Sequence, residues 1–184
     1  MVFLLKFMPP APSKARIINQ KQNIMNLGFS TKLNGKETWF VDKILEGLAD
    51  KDLIKKEEYN HYHNLYVDKG YSFHYGLDSK IHTIRKDEKQ RWKVDNKIHF
   101  VINNRTKNRL QFAPVLKVKI IQSIEIGNFL SDRSFVEIDG RSLSSEEIEV
   151  LAKNDGFFSV DDFWQYFDQT DFYGILIHWT DHKY

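Results

Sequence analysis

The chain of 184 residues is long enough for one globular core and short for two, because single domains commonly hold roughly 100–200 residues. Its 41% hydrophobic and 14% aromatic residues exclude a wholly disordered chain. The lack of cysteine excludes disulfides, thiolate nucleophiles and cysteine-based metal sites, and it favours the reducing cytoplasm. The net charge is only +2, so any binding of polyanions must come from a local excess of basic residues.

The first segment, residues 1–24, differs in composition from the rest of the chain. It has an apolar start, "MVFLLKFM", followed by three of the four prolines, and it shows no periodicity. The apolar run is too short to span a bilayer, Lys6 interrupts it, and no small-residue cleavage site follows it. We therefore predict a flexible tail over residues 1–24, no membrane segment, and a single folded region over residues 25–184.

The folded region begins with a predicted strand and a predicted helix. "MNLGFST", from Met25, is typical of a strand. "ETWFVDKILEGL" places its apolar residues at helical spacing, so we predict a helix over about 38–48 with Gly47 near its end. The next segment, about 49–79, is polar, rich in tyrosine and histidine and weakly periodic. We interpret it as an insertion, which could include helix and could bind a regulatory partner.

Short strands dominate the remainder of the chain. "KIHFVI", "LKVKIIQSIEI" and "SFVEIDGRSL" alternate between apolar and polar residues, and the last turns at Asp139-Gly140. Ser144 and Glu147 form a capping box that starts one helix, and Ser159 caps another with apolar residues at helical spacing. The closing "FYGILIHWTD" is apolar on both faces, which is typical of a central strand. The pattern predicts an α+β fold with a small, mostly antiparallel sheet or barrel.

Basic and acidic residues are unevenly distributed along the chain. Residues 80–119 contain twelve Lys and Arg against three Asp and Glu, a net charge of +9, and residues 125–171 have a net charge of −9. Two solvated surfaces of opposite charge would account for this, and so would an electropositive face that binds phosphates. Interleaved aromatic residues suit a single-stranded or flipped nucleotide, because bases stack on aromatic rings. The candidate ligand-binding residues are Arg85, Trp92, Arg105, Lys107 and Arg109.

One short segment, "KIHTIR" at 80–85, holds an amine, an imidazole, a hydroxyl and a guanidinium group. With Gly47 after the first predicted helix, Lys80, Thr83 and Arg85 match the spacing that marks the ASCH domain family, which is related to the PUA RNA-binding fold. The later "NDGFFSVDDFWQYF" and "ILIHW" resemble that family's helical segment and final strand. The resemblance covers most of residues 25–184 and implies a PUA-like, mostly antiparallel β-barrel with flanking helices.

Threonine at position 83 narrows the resemblance, because many ASCH members carry glutamate there. In this respect the chain is similar to the bacterial acetylcytidine amidohydrolases, which hydrolyse the amide between an acetyl group and the exocyclic nitrogen of cytidine. That similarity implies Lys80 as proton acceptor, Thr83 as nucleophile and Asp155 as proton donor. The sequence gives no sign of a metal or an organic cofactor. The chemistry is coherent, because burial or a nearby cation such as Arg85 can lower the pKa of a lysine until it activates a hydroxyl.

A second function stays open, a non-catalytic module that binds RNA or a modified base in the same pocket. In either case the expected ligand is a nucleoside, a nucleotide or RNA. Geometry sets a condition on catalysis, because Lys80 and Thr83 would point to opposite faces of a regular strand. The chain must therefore turn or bulge between them. The insertion between Gly47 and Lys80 could also cover or reshape the pocket.

Overall fold

The computed structural model describes residues 24–33, 35–127, 134–168 and 171–184, and within them the fold is α+β. The helices of these ranges are α1 (Phe40–Asp50), α2 (Lys56–Val67), α3 (Ser145–Asn154) and α4 (Val160–Tyr166). The strands are β1 (Ile24–Phe29), β2 (Lys32–Leu33), β3 (Lys36–Glu37), β4 (His82–Arg85), β5 (Lys97–Ile102), β6 (Leu110–Gln111), β7 (Leu116–Lys117), β8 (Ile120–Gly127), β9 (Phe135–Ile138), β10 (Arg141–Ser142) and β11 (Phe172–His178). The predicted tail lies outside the described residues, except for Ile24, which belongs to β1.

Two open sheets and the short β2–β3 hairpin contain the described strands. The first sheet has the order β1, β5, β6, with β7 also paired to β5, and β1 runs parallel to β5. The second has the order β10, β9, β8, β11, β4, and all its pairs are antiparallel. The pairing is therefore mostly antiparallel, as predicted. The strands of the described ranges do not close into the expected barrel, because β1 ends one sheet and β4 ends the other.

Charged side chains occupy the gap between β1 and β4, where a closed barrel would need strand pairing. Arg85 in β4 donates from Nη2 to the carbonyl oxygen of Gly28 in β1 at 2.9 Å. The backbone N–H of Ile84 donates to Oδ1 of Asp155 at 3.0 Å. Backbone groups at a sheet edge need partners, and here side chains supply them instead of a neighbouring strand. The gap stays open and contains the candidate site.

Apolar residues form two buried clusters in the described part of the chain. The first joins side chains of the β1–β5 sheet with those of α1 and α2, and the second joins the β8–β9 sheet with α3 and α4. β11 contributes to both, with Ile177 in the first cluster and Leu176 in the second. Its place between β8 and β4 confirms the predicted central strand. None of the described helices has the length and apolar character that a membrane crossing requires.

Helix α1 packs directly against the segment that leads into β4. The backbone N–H of Lys80 donates to the carbonyl oxygen of Lys43 at 3.0 Å. A Cβ atom at Gly47 would lie 3.0 Å from the carbonyl oxygen of Lys80 and 3.2 Å from Cβ of Ser79. A larger residue would push the helix and the segment apart, so the glycine of the sequence motif has a physical role in placing Lys80.

The two later helices begin at the predicted caps. The Ser144 hydroxyl accepts from the N–H of Glu147 at 3.3 Å, and the Glu147 carboxylate accepts from the N–H of Ser144 at 2.9 Å. The Ser159 hydroxyl accepts from the N–H of Asp162 at 3.1 Å. These bonds satisfy N–H groups that the first helical turn leaves unpaired. Between the two helices, Asp155 lies in the turn that follows α3.

The segment 49–79 contains the last two residues of α1, then α2 and its flanking loops, which pack against α1. Tyr66 is 4% exposed and belongs to the same buried cluster as α1. The hydroxyl of Tyr59 donates to Oε1 of Glu46 at 2.9 Å, and the backbone N–H of His74 donates to Oδ1 of the buried Asp42 at 2.6 Å. These contacts make the segment part of the core.

Candidate active site

A small cavity lies in the gap between β1 and β4, and we call it the inner cavity. Its volume is about 70 Å³, room for on the order of five water molecules. Its walls come from β1, β4, the start of α1 and the region around α4. The polar side chains in its lining include those of Lys80, Thr83, Arg85 and Asp155. The fold therefore brings the three predicted catalytic residues and the neighbouring arginine to one place.

Lys80 and Thr83 line the same cavity because the chain is not a regular strand between them. β4 begins only at His82, so the alternation of side chains along a strand does not extend back to Lys80. The N–H of Ile81 donates to the carbonyl oxygen of Asn154 at 3.0 Å, which ties this part of the chain to the end of α3. Both side chains therefore reach one cavity, as the geometric condition requires, and the hydrogen bonds of Lys80 Nζ go to Asp155 and not to Thr83.

Lys80 is 1% exposed and forms a buried ion pair with Asp155. Its Nζ donates to Oδ1 of Asp155 at 2.9 Å and also to the carbonyl oxygen of the same residue. Burial lowers the pKa of Lys80 to about 8, against the opposing charge of Asp155 and with a further contribution from Arg85. A pKa close to neutral pH allows an amine to give up and regain its proton during a reaction.

Asp155 uses one carboxylate oxygen for several contacts. Its Oδ1 accepts from Lys80 and from the N–H of Ile84 and lies 3.5 Å from Nδ1 of His82. Burial alone would raise the pKa of Asp155, but the charge of Lys80 and the contact with His82 outweigh burial and lower it below the ordinary value. Asp155 is therefore a carboxylate at rest, and Lys80 is the nearest source of a proton for it.

Thr83 and Arg85 both have groups available to a ligand. Thr83 is 2% exposed, and its hydroxyl makes no hydrogen bond to any residue that the structure describes. Arg85 uses Nη2 for Gly28, and its guanidinium carbon lies 5.3 Å from the ring centroid of Phe29. Its Nε and Nη1 have no partner in the same ranges. They can donate to an oxyanion or to a phosphate.

The sequence-based prediction gives His82 no role, but the structure places its ring beside Asp155, with Nδ1 3.5 Å from Oδ1. Its Nε2 lies 2.8 Å from the hydroxyl of Tyr184, which also accepts from Nδ2 of Asn154 at 2.9 Å. Burial lowers the pKa of His82, so the ring is neutral at pH 7. Because the tyrosine hydroxyl can donate to Nε2, the ring proton belongs on Nδ1, which faces Asp155. At 3.5 Å from Oδ1 of Asp155, Nδ1 lies too far for a well-formed hydrogen bond and has no other partner among the described residues, so the contact of His82 with the carboxylate is mainly electrostatic.

A larger depression, the aromatic cleft, adjoins the inner cavity. Its volume is about 210 Å³. Residues common to the two linings are Leu33, Phe40, Phe157 and Tyr166. Phe158 in its wall is 58% exposed, and Nζ of the buried Lys43 lies 3.6 Å from its ring centroid. Lys36, Glu37 and Asp162 also line the cleft. Glu37 forms an ion pair with Lys32 at 2.9 Å and Asp162 with Lys36 at 3.9 Å, so the cleft has no excess of unpaired positive charge for an anion.

A third depression, the basic groove, adjoins the inner cavity at Gly28 and Arg85. Its volume is about 460 Å³, and Trp92 forms part of its wall. The basic residues of its lining are Arg85, Lys86, Arg91 and Arg105. Arg85 therefore belongs to both the groove and the inner cavity.

The groove contains some of the predicted ligand-binding residues and not others. Those in its lining are Arg85, Trp92 and Arg105. Lys107 and Arg109 do not line it, and Arg109 instead donates to Oδ1 of Asn26 at 3.1 Å. Lys86 and Arg91 do line it, and the composition of "RKDEKQRWK" was the signal that could have selected them.

The segment 49–79, which we interpret from its sequence as an insertion and for which that name is kept, does not line the site. No residue of 49–79 lines the inner cavity, the aromatic cleft or the basic groove. Within the residues that the structure describes, no group of three or more His, Asp or Glu side chains could hold a metal ion.

Comparisons with known proteins identify no relative of this chain. No protein-family model, curated protein or solved structure matches it. The resemblance to the ASCH family rests on the motif residues, and the function is inferred from the geometry of the site.

Proposed function

We propose that the inner cavity hydrolyses the amide of an acylated cytidine, in a fold related to the PUA-like proteins. One observation carries the proposal: Lys80 and Thr83 of the KIHTIR segment line one small cavity with Arg85 and with Asp155, which lies 75 positions after Lys80. A free hydroxyl, an amine with a lowered pKa, a carboxyl group and a guanidinium group are the components that amide hydrolysis requires.

The buried ion pair can supply both a base and an acid. Transfer of one proton from Lys80 to Asp155 across the 2.9 Å contact gives a neutral amine and a neutral carboxyl group. The ion pair is the resting form, because the charge of Lys80 keeps the pKa of Asp155 below its ordinary value. Burial disfavours both charges, so it lowers the cost of this transfer, which needs no exchange of a proton with solvent. The two residues therefore start the reaction as base and acid together.

The reaction then proceeds in two balanced halves. The Thr83 oxygen attacks the amide carbonyl carbon and its proton goes to Lys80, while Arg85 donates to the oxyanion. The C–N bond breaks as the leaving nitrogen takes the proton of Asp155, which leaves an acyl ester on Thr83 and restores the ion pair. After Lys80 returns its proton to Asp155, water attacks the ester and gives a proton to Lys80. Thr83 leaves with the proton of Asp155, and the carboxylic acid is released.

The sequence motif suggests which amine leaves in this reaction. Thr83 at this spacing is similar to the acetylcytidine amidohydrolases, and the adjoining groove offers Trp92 as a stacking surface for a base. A nucleoside, a nucleotide or RNA is accordingly the proposed ligand. A cytoplasmic place of action fits this ligand and the cysteine-free sequence.

The test compares hydrolysis of acetylcytidine by the wild type and by Thr83→Val. The substitution keeps the shape of the side chain and removes the nucleophile, so we expect a loss of at least about a thousandfold in kcat/KM. Thr31→Val makes the same change outside the inner cavity and is expected to retain activity. A wild-type protein without turnover would exclude the hydrolase, and an active Thr83→Val would exclude its mechanism.

A second candidate function is a binding module without chemistry. The observation that favours it is the basic groove, whose cations would contact the backbone of RNA. RNA binding that weakens steeply with salt and is unchanged in Thr83→Val, together with no hydrolysis, would establish this function in place of the first.

A further inference from the structure

The basic groove carries positive charges that form no ion pair among the residues that the structure describes. Its lining contains four cationic side chains and no Asp or Glu, among the residues that the structure describes. None of the ion pairs found in these ranges includes Arg85, Lys86, Arg91 or Arg105. Like charges that converge on one concave surface repel one another, and an anionic ligand removes that repulsion.

Asp87 is the acidic residue nearest in sequence to Lys86, and its carboxylate binds backbone N–H groups of the same loop. The carboxylate of Asp87 accepts from the backbone N–H of Arg91 at 3.0 Å and from that of Trp92 at 2.9 Å. It therefore fixes the loop that contains the cation and the stacking ring, and it does not pair with the guanidinium group of Arg91. The loop places Arg91 and Trp92 in the lining of the groove, and Trp92 also packs against the first buried cluster.

The size of the inner cavity determines where the rest of a substrate must lie. About 70 Å³ accommodates an amide and a water molecule but not a nucleoside. Two larger spaces adjoin it, the aromatic cleft and the basic groove. In the aromatic cleft Lys36 is paired with Asp162, and Glu37 with Lys32, whereas the cations of the groove have no ion-pair partner among the described residues and Trp92 lies beside them. An anionic substituent on the amine side of the amide thus belongs in the groove.

We infer that the ligand of this site is a phosphorylated nucleoside, with its acylated amine at Thr83, its base against Trp92 and its phosphate bound by Arg91 and Arg105. The position of the amide rests on the proposed hydrolase function. The phosphate part does not, because the cations of the groove bind a nucleotide whether or not an amide is cleaved.

The experiment measures, by calorimetry at low salt, how tightly four ligands bind to the Thr83→Val variant, which lacks the nucleophile and cannot hydrolyse an amide. The ligands are cytidine, its 5′-monophosphate, its 3′-monophosphate and a 3′,5′-linked dinucleotide, so that a phosphate monoester is distinguished from the diester of RNA. A charge-assisted bond contributes enough that we expect phosphorylation to tighten binding about tenfold or more. The gain should shrink as salt rises.

Two double variants decide whether the groove is responsible. Arg91→Gln with Arg105→Gln removes two exposed charges from the groove, and we expect the preference for phosphate to disappear. Lys51→Gln with Lys69→Gln removes two exposed charges of the insertion, outside all three depressions, and should keep the preference. Equal affinity for cytidine and its phosphates, or a preference that survives the groove variant, would overturn the inference. Phosphate-dependent binding without hydrolysis of any acylated ligand would instead refute the proposed function and leave this inference intact.

Discussion

At the scale of single residues, the Lys80–Asp155 pair determines the pH dependence expected of the site. The reactive form holds one proton on the pair, either as the ion pair or as its neutral equivalent. The pair loses that proton above the pKa of Lys80, which is about 8. It gains a second proton only below the pKa of Asp155, which the contact with Lys80 keeps below its ordinary value.

We therefore predict that kcat/KM for an acylated cytidine is flat through neutral pH and falls above about pH 8. The decline should approach tenfold per pH unit, because one proton is lost. Stopped assays from pH 5 to pH 10 measure this decline. A control is needed for Lys43, because burial also lowers its pKa to about 8. Lys43→Met should keep the same profile. A rate that rises through pH 8 would show that free Lys80 amine acts alone.

Sequence reasoning could identify the residues whose role follows from local spacing. Lys80, Thr83 and Arg85 lie within six positions, so one motif was sufficient to select them. His82 lies in the same motif, but its partner Tyr184 is 102 positions away. The periodicity of a sequence does not predict such a contact, because the contact depends on the pairing of β4 with β11.

At the scale of elements, the turn after α3 places Asp155 and also restricts what can stand beside it. Gly156 has a φ of +91°, and a Cβ atom there would lie 3.0 Å from Cδ of Lys80 and 3.0 Å from Cε1 of Phe40. Both the backbone conformation and the available space therefore require glycine. Its carbonyl oxygen accepts from Nζ of the buried Lys43 at 2.8 Å, so the turn is joined to α1 as well.

Gly156→Ala is predicted to lower the free energy of unfolding by about 2–3 kcal/mol, through backbone strain and displacement of Lys80. Gly140→Ala is the matched control, because Gly140 has a φ of +76° and nothing within 4 Å of an added Cβ atom. Strain alone should cost about 1 kcal/mol there. Denaturant unfolding gives both values. Equal losses in the two variants would mean that Lys80 yields to the methyl group without cost.

Helices and central strands were predictable because their signals are local, whereas the pairing of strands was not. The capping residues located α3 and α4, and the apolar sequence of β11 indicated its central place. β1 pairs with β5 in parallel, from Ile24↔Lys97 to Phe29↔Ile102, so the paired residues are 73 positions apart. Nothing in the sequence of either strand indicates this partner. The predicted strand in "LKVKIIQSIEI" is divided into β7 and β8, because the N–H of Val118 bonds to the carbonyl oxygen of Asn96.

At the scale of the whole molecule, the candidate site and the insertion lie in different parts of the fold. The site lies at the open edge between β1 and β4. The edge contains the inner cavity, and the groove and the cleft adjoin it there. The insertion packs against α1 and shares its buried cluster, so it supports the core without lining the site. Stability and ligand binding should therefore respond differently to changes in the insertion.

Tyr66 provides the test of that separation. It is 4% exposed and stacks on Tyr71 with ring centroids 4.6 Å apart. Tyr66→Ala removes a large buried ring, so we predict that the free energy of unfolding falls by about 3 kcal/mol or more. Affinity for cytidine phosphates should stay unchanged where the variant is folded, because no residue of 49–79 lines the three depressions.

Tyr75→Ala is the control for Tyr66→Ala, because Tyr75 lies in the same insertion but is 65% exposed. Its hydroxyl lies 2.7 Å from Nε2 of His63, an exposed contact whose loss should cost about 1 kcal/mol or less. Thermal unfolding should give one transition for the wild type and both variants, because α2 shares its buried cluster with α1. Two transitions, or a small effect of Tyr66→Ala, would show that the insertion unfolds independently. The core around Lys80 would then be complete without it.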